Sequence, residues 1–106
     1  MLDIGCGAGG ALLVARRLGA AVTGLDAAQA LVEIARERLP GARIEIGEME
    51  NLPFEDGTFD LVTSFNAFQF AENPIHALQE AGRVCRPEGT ILMQQASPLG
   101  RAREVW

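Results

Sequence analysis

The stretch Leu2-Asp3-Ile4-Gly5-Cys6-Gly7-Ala8-Gly9-Gly10 passes from a short apolar run into four glycines within six positions. The run reads as a strand. The glycines let backbone come close to a ligand and present amide N–H groups at the start of a helix. Downstream, short Val-, Ile- and Leu-rich runs alternate with segments of helical period, as in successive βα units around a parallel sheet. Ala11, Val14, Ala15 and Leu18 form one helical face, closed by Gly19 as a C-cap. Residues 20–25 read as a buried strand ending at Asp26, and Leu31, Val32, Ala35 and Leu39 as the apolar face of a second helix stopped by Pro40-Gly41.

Ile44 and Ile46 alternate with Arg43 and Glu45, which predicts a half-exposed strand at a sheet edge, whereas residues 59–65 are mostly apolar and read as a central strand. Asn73-Pro74 is an N-cap and N1 pair for a third helix with Leu78, Ala81 and Val84 or Cys85 on one face. Residues 90–93 read as a fifth strand, while Ser97-Pro98-Leu99-Gly100 and the tail to Trp106 carry no assignable pattern. The expected fold is α/β, a Rossmann-like, doubly wound, mostly parallel sheet of about five strands in the order 3-2-1-4-5, with helices on both faces.

The 106 residues leave room for one domain, 1–106, and 48% hydrophobic with 22% charged residues suits a packed core. Nine Lys and Arg against 14 Asp and Glu give a net charge of −5, so there is no basic footprint for a nucleic-acid backbone. No apolar run approaches the roughly 20 residues that span a bilayer, and no basic, apolar leader opens the chain. A cytoplasmic location is therefore expected, and Cys6 and Cys85, too few for a disulfide framework, read as reduced thiols.

In such a sheet, ligands bind beyond the carboxyl ends of the strands. The residues there are 5–10, Asp26, Glu48 with Met49, and Asn66. Gly5, Gly7 and Gly10 also satisfy the G-x-G-x-x-G dinucleotide fingerprint, with Asp26 at the distance expected for a ribose hydroxyl. Two cofactor classes therefore compete, NAD and S-adenosylmethionine. Asp3 favours the second, because a carboxylate just before the first glycine repels a pyrophosphate but attracts an ammonium and a sulfonium. The amino-acid end of that ligand would meet Asp3 and the glycine loop, its ribose Asp26, and its adenine the residues after strand three. Each residue also has a plainer use: Asp26 as a helix N-cap, Glu48 as a solvated loop charge, Asn66 as a turn residue and Cys6 as packing.

The first stretch, Leu2-Asp3-Ile4-Gly5-Cys6-Gly7-Ala8-Gly9, resembles the glycine-rich motif of class I S-adenosylmethionine-dependent methyltransferases, particularly the ubiquinone and menaquinone biosynthesis group. Gly24-Leu25-Asp26, Gly47-Glu48-Met49-Glu50-Asn51-Leu52-Pro53-Phe54, Phe59-Asp60-Leu61-Val62 and Arg83-Val84-Cys85-Arg86-Pro87-Glu88-Gly89 are similar to four further family motifs in the same order. The resemblance implies S-adenosyl-L-methionine as cofactor and a small-molecule methyl acceptor. The implied cofactor-binding set is Asp3, Gly5, Cys6, Gly7, Asp26, Ala27, Glu48, Met49 and Asn66. Asp3, Gly5 and Gly7 would hold the methionine moiety, Asp26 the ribose hydroxyls, Glu48 with Met49 the adenine, and Asn66 would lie near the sulfonium.

Glu48 stands where the family has Asp, Ala27-Ala28 where it has Ser-Pro, and Glu88 where it has Gly. The family's helical lead-in and the two strands after strand five have no counterpart here, so the chain is expected to be a core truncated at both ends. Strand five is then expected at an edge with apolar residues exposed, a route to a homo-oligomer. His76 reads as a helix-surface residue, Phe65, Phe68 and Phe70 suit core and pocket wall equally, and no general base is identified. A noncatalytic cofactor-binding module and an NAD-dependent oxidoreductase are the competing readings.

Overall fold

The computed structural model describes residues 1–96 and 102–105. Strand β1 (Leu2–Ile4) leads through helix α1 (Gly10–Arg17) to β2 (Thr23–Asp26), then through α2 (Gln29–Arg38) to β3 (Arg43–Ile46). After β4 (Phe59–Phe65) come a 3-10 turn (Phe68–Phe70), α3 (Pro74–Val84), β5 (Cys85–Ala96) and β6 (Ala102–Val105). The sheet order is β3-β2-β1-β4-β5-β6, and the first five strands are parallel, as the βα alternation requires.

The sixth strand corrects the sequence reading. β6 pairs antiparallel with β5, with Gln94 opposite Glu104, so the edge expected to be open to a second copy is occupied by the chain's own tail. Ile91 and Leu92 are half-buried and Met93 is buried, not exposed. Closing a short local loop costs less entropy than recruiting another chain, and it satisfies the same row of backbone donors and acceptors. Residues 97–100, which carry no pattern in the sequence, lie outside the described residues.

Two apolar clusters sandwich the sheet. On one side, Ala77, Ala81 and Val84 of α3 pack against Leu2, Ile4, Leu25 and Val62; on the other, Leu12 of α1 and Val32, Ala35 and Leu39 of α2 pack against Val22 and Ile44. The predicted faces of α2 and α3 are buried at Val32, Ala35, Leu39, Ala81 and Val84, while the stripe of α1 is displaced from the one the spacing predicts. Leu12 is fully buried, whereas Val14 and Leu18 are 57% and 84% exposed; likewise Leu31 and Leu78 face outward. In helices of eight to eleven residues that carry apolar residues all round, the contact face is chosen by the sheet below and not by the period alone. The caps follow expectation. Asn73 accepts the His76 N–H at 3.1 Å. Gly19 and Ala20 donate to the Arg16 and Ala15 carbonyls at the end of α1.

β1 is central, with β2 on one side and β4 on the other. The turn that leaves it is tight: the Gly5 and Cys6 N–H groups both donate to the Leu25 carbonyl, at 2.8 and 2.9 Å. Gly5 has φ +74°, and a Cβ there would overlap the Ala67 Cβ, whereas Gly7, at φ +55°, has open space where its Cβ would stand. Gly5→Ala is therefore expected to cost about 3 kcal/mol, from left-handed strain plus overpacking, and Gly7→Ala about 1 kcal/mol from strain alone. Urea denaturation of both variants checks this, and equal losses would contradict the Ala67 contact.

Candidate functional site

The strand order puts the sequence candidates in series. Going from β3 to β4, the residues past the carboxyl ends are Glu48 with Met49, then Asp26, then Gly5, then Asn66. Three inter-strand spacings make this rim about 14 Å long, the scale of a nucleoside joined to an amino acid. A cavity of about 340 Å³ opens along it, lined by Gly5, Asp26, Ala27, Glu48, Met49 and Asn66 together with Leu25, Leu31, Gly47, Phe65, Ala67 and Phe70. Six of the nine sequence candidates thus meet at one cavity. Asp3, Cys6 and Gly7 do not line it.

Asp26 organises the middle. One carboxylate oxygen accepts the Gly7 N–H at 2.9 Å and the other the Ala28 N–H at 2.8 Å, so the same side chain fixes the glycine turn and the start of α2. The bond to Ala28 is a turn just ahead of α2 and not a helix cap: the N-cap is Ala28, which makes no side-chain cap bond, so Asp26 does not take the capping use that the sequence allows. A carboxylate has about four lone-pair sites, which leaves capacity for the two hydroxyls of a vicinal diol. Gly7 contributes through this backbone contact.

Asp3 lies beneath the turn. It is 2% exposed, and its Oδ1 accepts the Thr63 hydroxyl at 2.8 Å. Burial outweighs that hydrogen bond, and with some help from nearby Asp26 pushes the Asp3 carboxyl up from 3.8 to about 6. Thr63 has no distinguishing signal in the sequence, because its role follows only from the β1–β4 register. Cys6 is a packing residue. It is buried against α1, where a Cβ on Gly24 would meet Cys6 Sγ at 2.9 Å and Leu12 Cδ1 at 2.8 Å. Burial pushes its thiol up to about 12, so proximity to a helix start does not activate it.

At the β4 end, Asn66 holds φ 63°, the one non-glycine residue in the left-handed region among the described residues, and its N–H donates to the Gln94 carbonyl. Asn tolerates this conformation better than most residues. The three phenylalanines divide: Phe68 is in the core, while Phe65 and the 75% exposed Phe70 form the apolar lip of the cavity. Leu31 and Ala67 complete that wall. The sequence assigns Leu31 to a helix core and gives Ala67 no role. His76 is exposed on the first turn of α3 and lines none of this. Among the described residues no group of His, Cys, Asp or Glu could hold a metal ion, and no helix is long and apolar enough to cross a membrane.

The residues fit a ligand with a cationic end, a diol and a flat polar ring. Asp3 supplies a negative field under the glycine turn, Asp26 the acceptors, and Met49 with the Glu48 carboxylate a soft surface and an acceptor for a ring amine. Because the folded Asp3 binds its proton more tightly than the unfolded one, stability falls as pH rises from about 4 to 6. The expected loss is at most about 3 kcal/mol. Asp3→Asn should flatten that slope and raise stability at pH 7.5; urea denaturation at three pH values checks this, and an unchanged slope would assign it to another group.

Comparison with known proteins bears on the site as a whole. Residues 2–93 match the model of a methyltransferase domain family. The chain is 33% identical to malonyl-acyl-carrier-protein O-methyltransferase of Serratia marcescens, the match covering 100% of this chain and 42% of that one. It is 37% identical to phthiotriol/phenolphthiotriol dimycocerosates methyltransferase 1 of Mycobacterium ulcerans, covering 98% and 40%. A solved S-adenosylmethionine-dependent methyltransferase from Thermotoga maritima superposes with a TM-score of 0.80 at 30% identity, over 94% of this chain and 47% of that one. The chain spans less than half the length of these relatives. The match decides between the two cofactor classes that the glycine pattern alone leaves open. The chain belongs to the methyltransferase domain family, whose methyl donor is S-adenosylmethionine.

Proposed function

We propose that residues 1–106 form one S-adenosylmethionine-binding core of a methyltransferase that acts on a small-molecule or lipid-linked acceptor. The observation that carries this reading is the serial arrangement of Glu48 with Met49, Asp26, Gly5 and Asn66 along a single cavity. In this assignment the Gly5 to Gly7 turn and the field of Asp3 hold the methionine end, Asp26 accepts the ribose hydroxyls, and Glu48 with Met49 receives the adenine. Asn66 borders the sulfonium. When bound, the cofactor supplies a methyl group activated by a positive sulfur.

Methyl transfer is an in-line displacement, so positioning supplies much of the rate enhancement. The chain's contribution is to orient the donor against the rim and to exclude water with Phe65 and Phe70. An apolar acceptor is supported by that lip and by the relatives, which are named for acyl-carrier-protein, dimycocerosate and sterol acceptors. The resemblance of residues 2–9 to the ubiquinone and menaquinone group adds a quinone-like ring to the candidate acceptors. The two buried free thiols favour a cytoplasmic setting.

Asp26→Ala removes the diol acceptors and the partner of the Gly7 and Ala28 amides together. It is expected to weaken S-adenosylmethionine and S-adenosylhomocysteine binding roughly 100-fold by calorimetry. Unchanged affinity would sink the site assignment. A thermal shift with NADH and none with S-adenosylmethionine would overturn the cofactor reading. Cofactor binding without methyl transfer to any quinone, acyl or sterol acceptor would make the chain a binding module.

A further inference from the structure

Arg83, in the last turn of α3, is used to capacity. Its Nε donates to Glu80 Oε2 at 2.6 Å, Nη1 to the Phe54 carbonyl at 2.7 Å and to Asp56 Oδ1 at 2.9 Å. Nη2 donates to the Leu52 carbonyl at 2.9 Å and to Glu80 Oε1 at 3.1 Å. All five N–H donors of the guanidinium are therefore engaged. The loop is also held in the reverse direction: Leu52 N–H donates to Glu80 Oε1 at 2.9 Å, and Gly57 N–H to the Arg83 carbonyl at 2.8 Å.

The segment fastened in this way joins β3 to β4. Leu52 and Phe54 are buried beneath it, and the Phe54 ring meets Phe59 edge-on at 5.2 Å. Glu48 and Met49, on the cavity wall, precede Leu52 by four and three residues, and Asn51 N–H closes the intervening turn on the Glu48 carbonyl at 3.1 Å. The loop has no regular secondary structure of its own to fix that wall. Arg43 of β3 adds a hydrogen bond to the Pro53 carbonyl at 3.1 Å, and Glu50 accepts the Glu72 N–H at 3.0 Å, but the densest set of bonds to the loop comes from α3.

We propose that Arg83, braced by Glu80, is a positioning residue for cofactor binding: it clamps residues 52–57 to α3 and thereby holds Glu48 and Met49 at the adenine end of the cavity. The inference rests on the cofactor assignment proposed above. A guanidinium suits this task because its planar fork reaches two carbonyls and two carboxylates at once, which an ammonium cannot do. Arg83 touches no cavity surface, so it acts through the loop.

The test is a double-substitution cycle on the full chain, with S-adenosylhomocysteine affinity read by calorimetry. Arg83→Lys, which keeps the charge but loses the fork, is expected to weaken binding about tenfold, and Glu48→Ala by a similar factor. If Arg83 acts through the adenine wall, the double variant should lose little more than either single one. Amide exchange at Leu52 and Gly57 should accelerate in Arg83→Lys while β1 and β4 amides keep their protection. Should Arg83→Lys fail to fold, Glu80→Gln replaces it in the cycle, with a smaller expected loss of about threefold. Full additivity, or unchanged affinity in the singly substituted chain, would overturn the clamp and leave the cofactor assignment standing. Absence of binding by the unsubstituted chain would overturn the cofactor assignment and this inference with it.

Discussion

The molecule turns on one carbonyl. Leu25 is the penultimate residue of β2, and its oxygen receives two successive amides, those of Gly5 and Cys6, from the turn that leaves β1. The backbone leaving β1 must bend sharply there, and a left-handed glycine is the residue that does so without strain. The next residue along β2, Asp26, then catches the Gly7 amide and the Ala28 amide. One junction between two neighbouring strands thus sets the mouth of the cavity, the entry to α2 and the orientation of the carboxylate proposed for the ribose. Ala67, pressed against Gly5 from beyond β4, closes the junction on its other side.

The charge of the site follows from the same geometry. Asp3, Asp26 and Glu48 come from three different segments, and among the described residues no Arg lines the cavity. Asp3 is kept out of water and hydrogen-bonded to Thr63, an arrangement that costs stability once its proton leaves. A buried carboxylate of this kind is stabilised by a ligand with a positive end and penalised by a phosphate. Asp3 lies beneath the glycine turn and off the cavity wall, so the selectivity proposed for it rests on its field and not on direct contact.

Much of this is legible in the sequence, for identifiable reasons. The parallel order 3-2-1-4-5 follows from the βα alternation, and the rim positions of Gly5, Asp26, Glu48, Met49 and Asn66 follow from strand ends, which turn chemistry marks well. What the sequence misplaced depends on tertiary contact. Val14 and Leu18 match the helical period as well as Leu12 does, and only the sheet beneath α1 selects Leu12. Cys6 sits within a cofactor-like motif, yet its sulfur fills the space left by Gly24. Residues 102–105 become a strand because β5 offers them an unpaired edge, not because their own pattern demands it. Arg83 is visible only as part of a motif, since the loop carbonyls it binds, those of Leu52 and Phe54, are 31 and 29 residues back in the chain.

The placement of β1 has a consequence in time. Its three residues lie in the middle of the sheet, yet the partner on their far side is β4, and Asp3 and Thr63 are 60 positions apart. At synthesis rates of about 5–20 residues per second, β1 waits for several seconds with one flank open. During that interval the β1–β2–β3 half can assemble on α1 and α2, while the side that will receive α3 stays apolar and exposed. Closure of the β1–β4 ladder, a contact of long sequence separation, is then the step at which both halves of the rim first face each other, and it should govern how fast a binding-competent site forms.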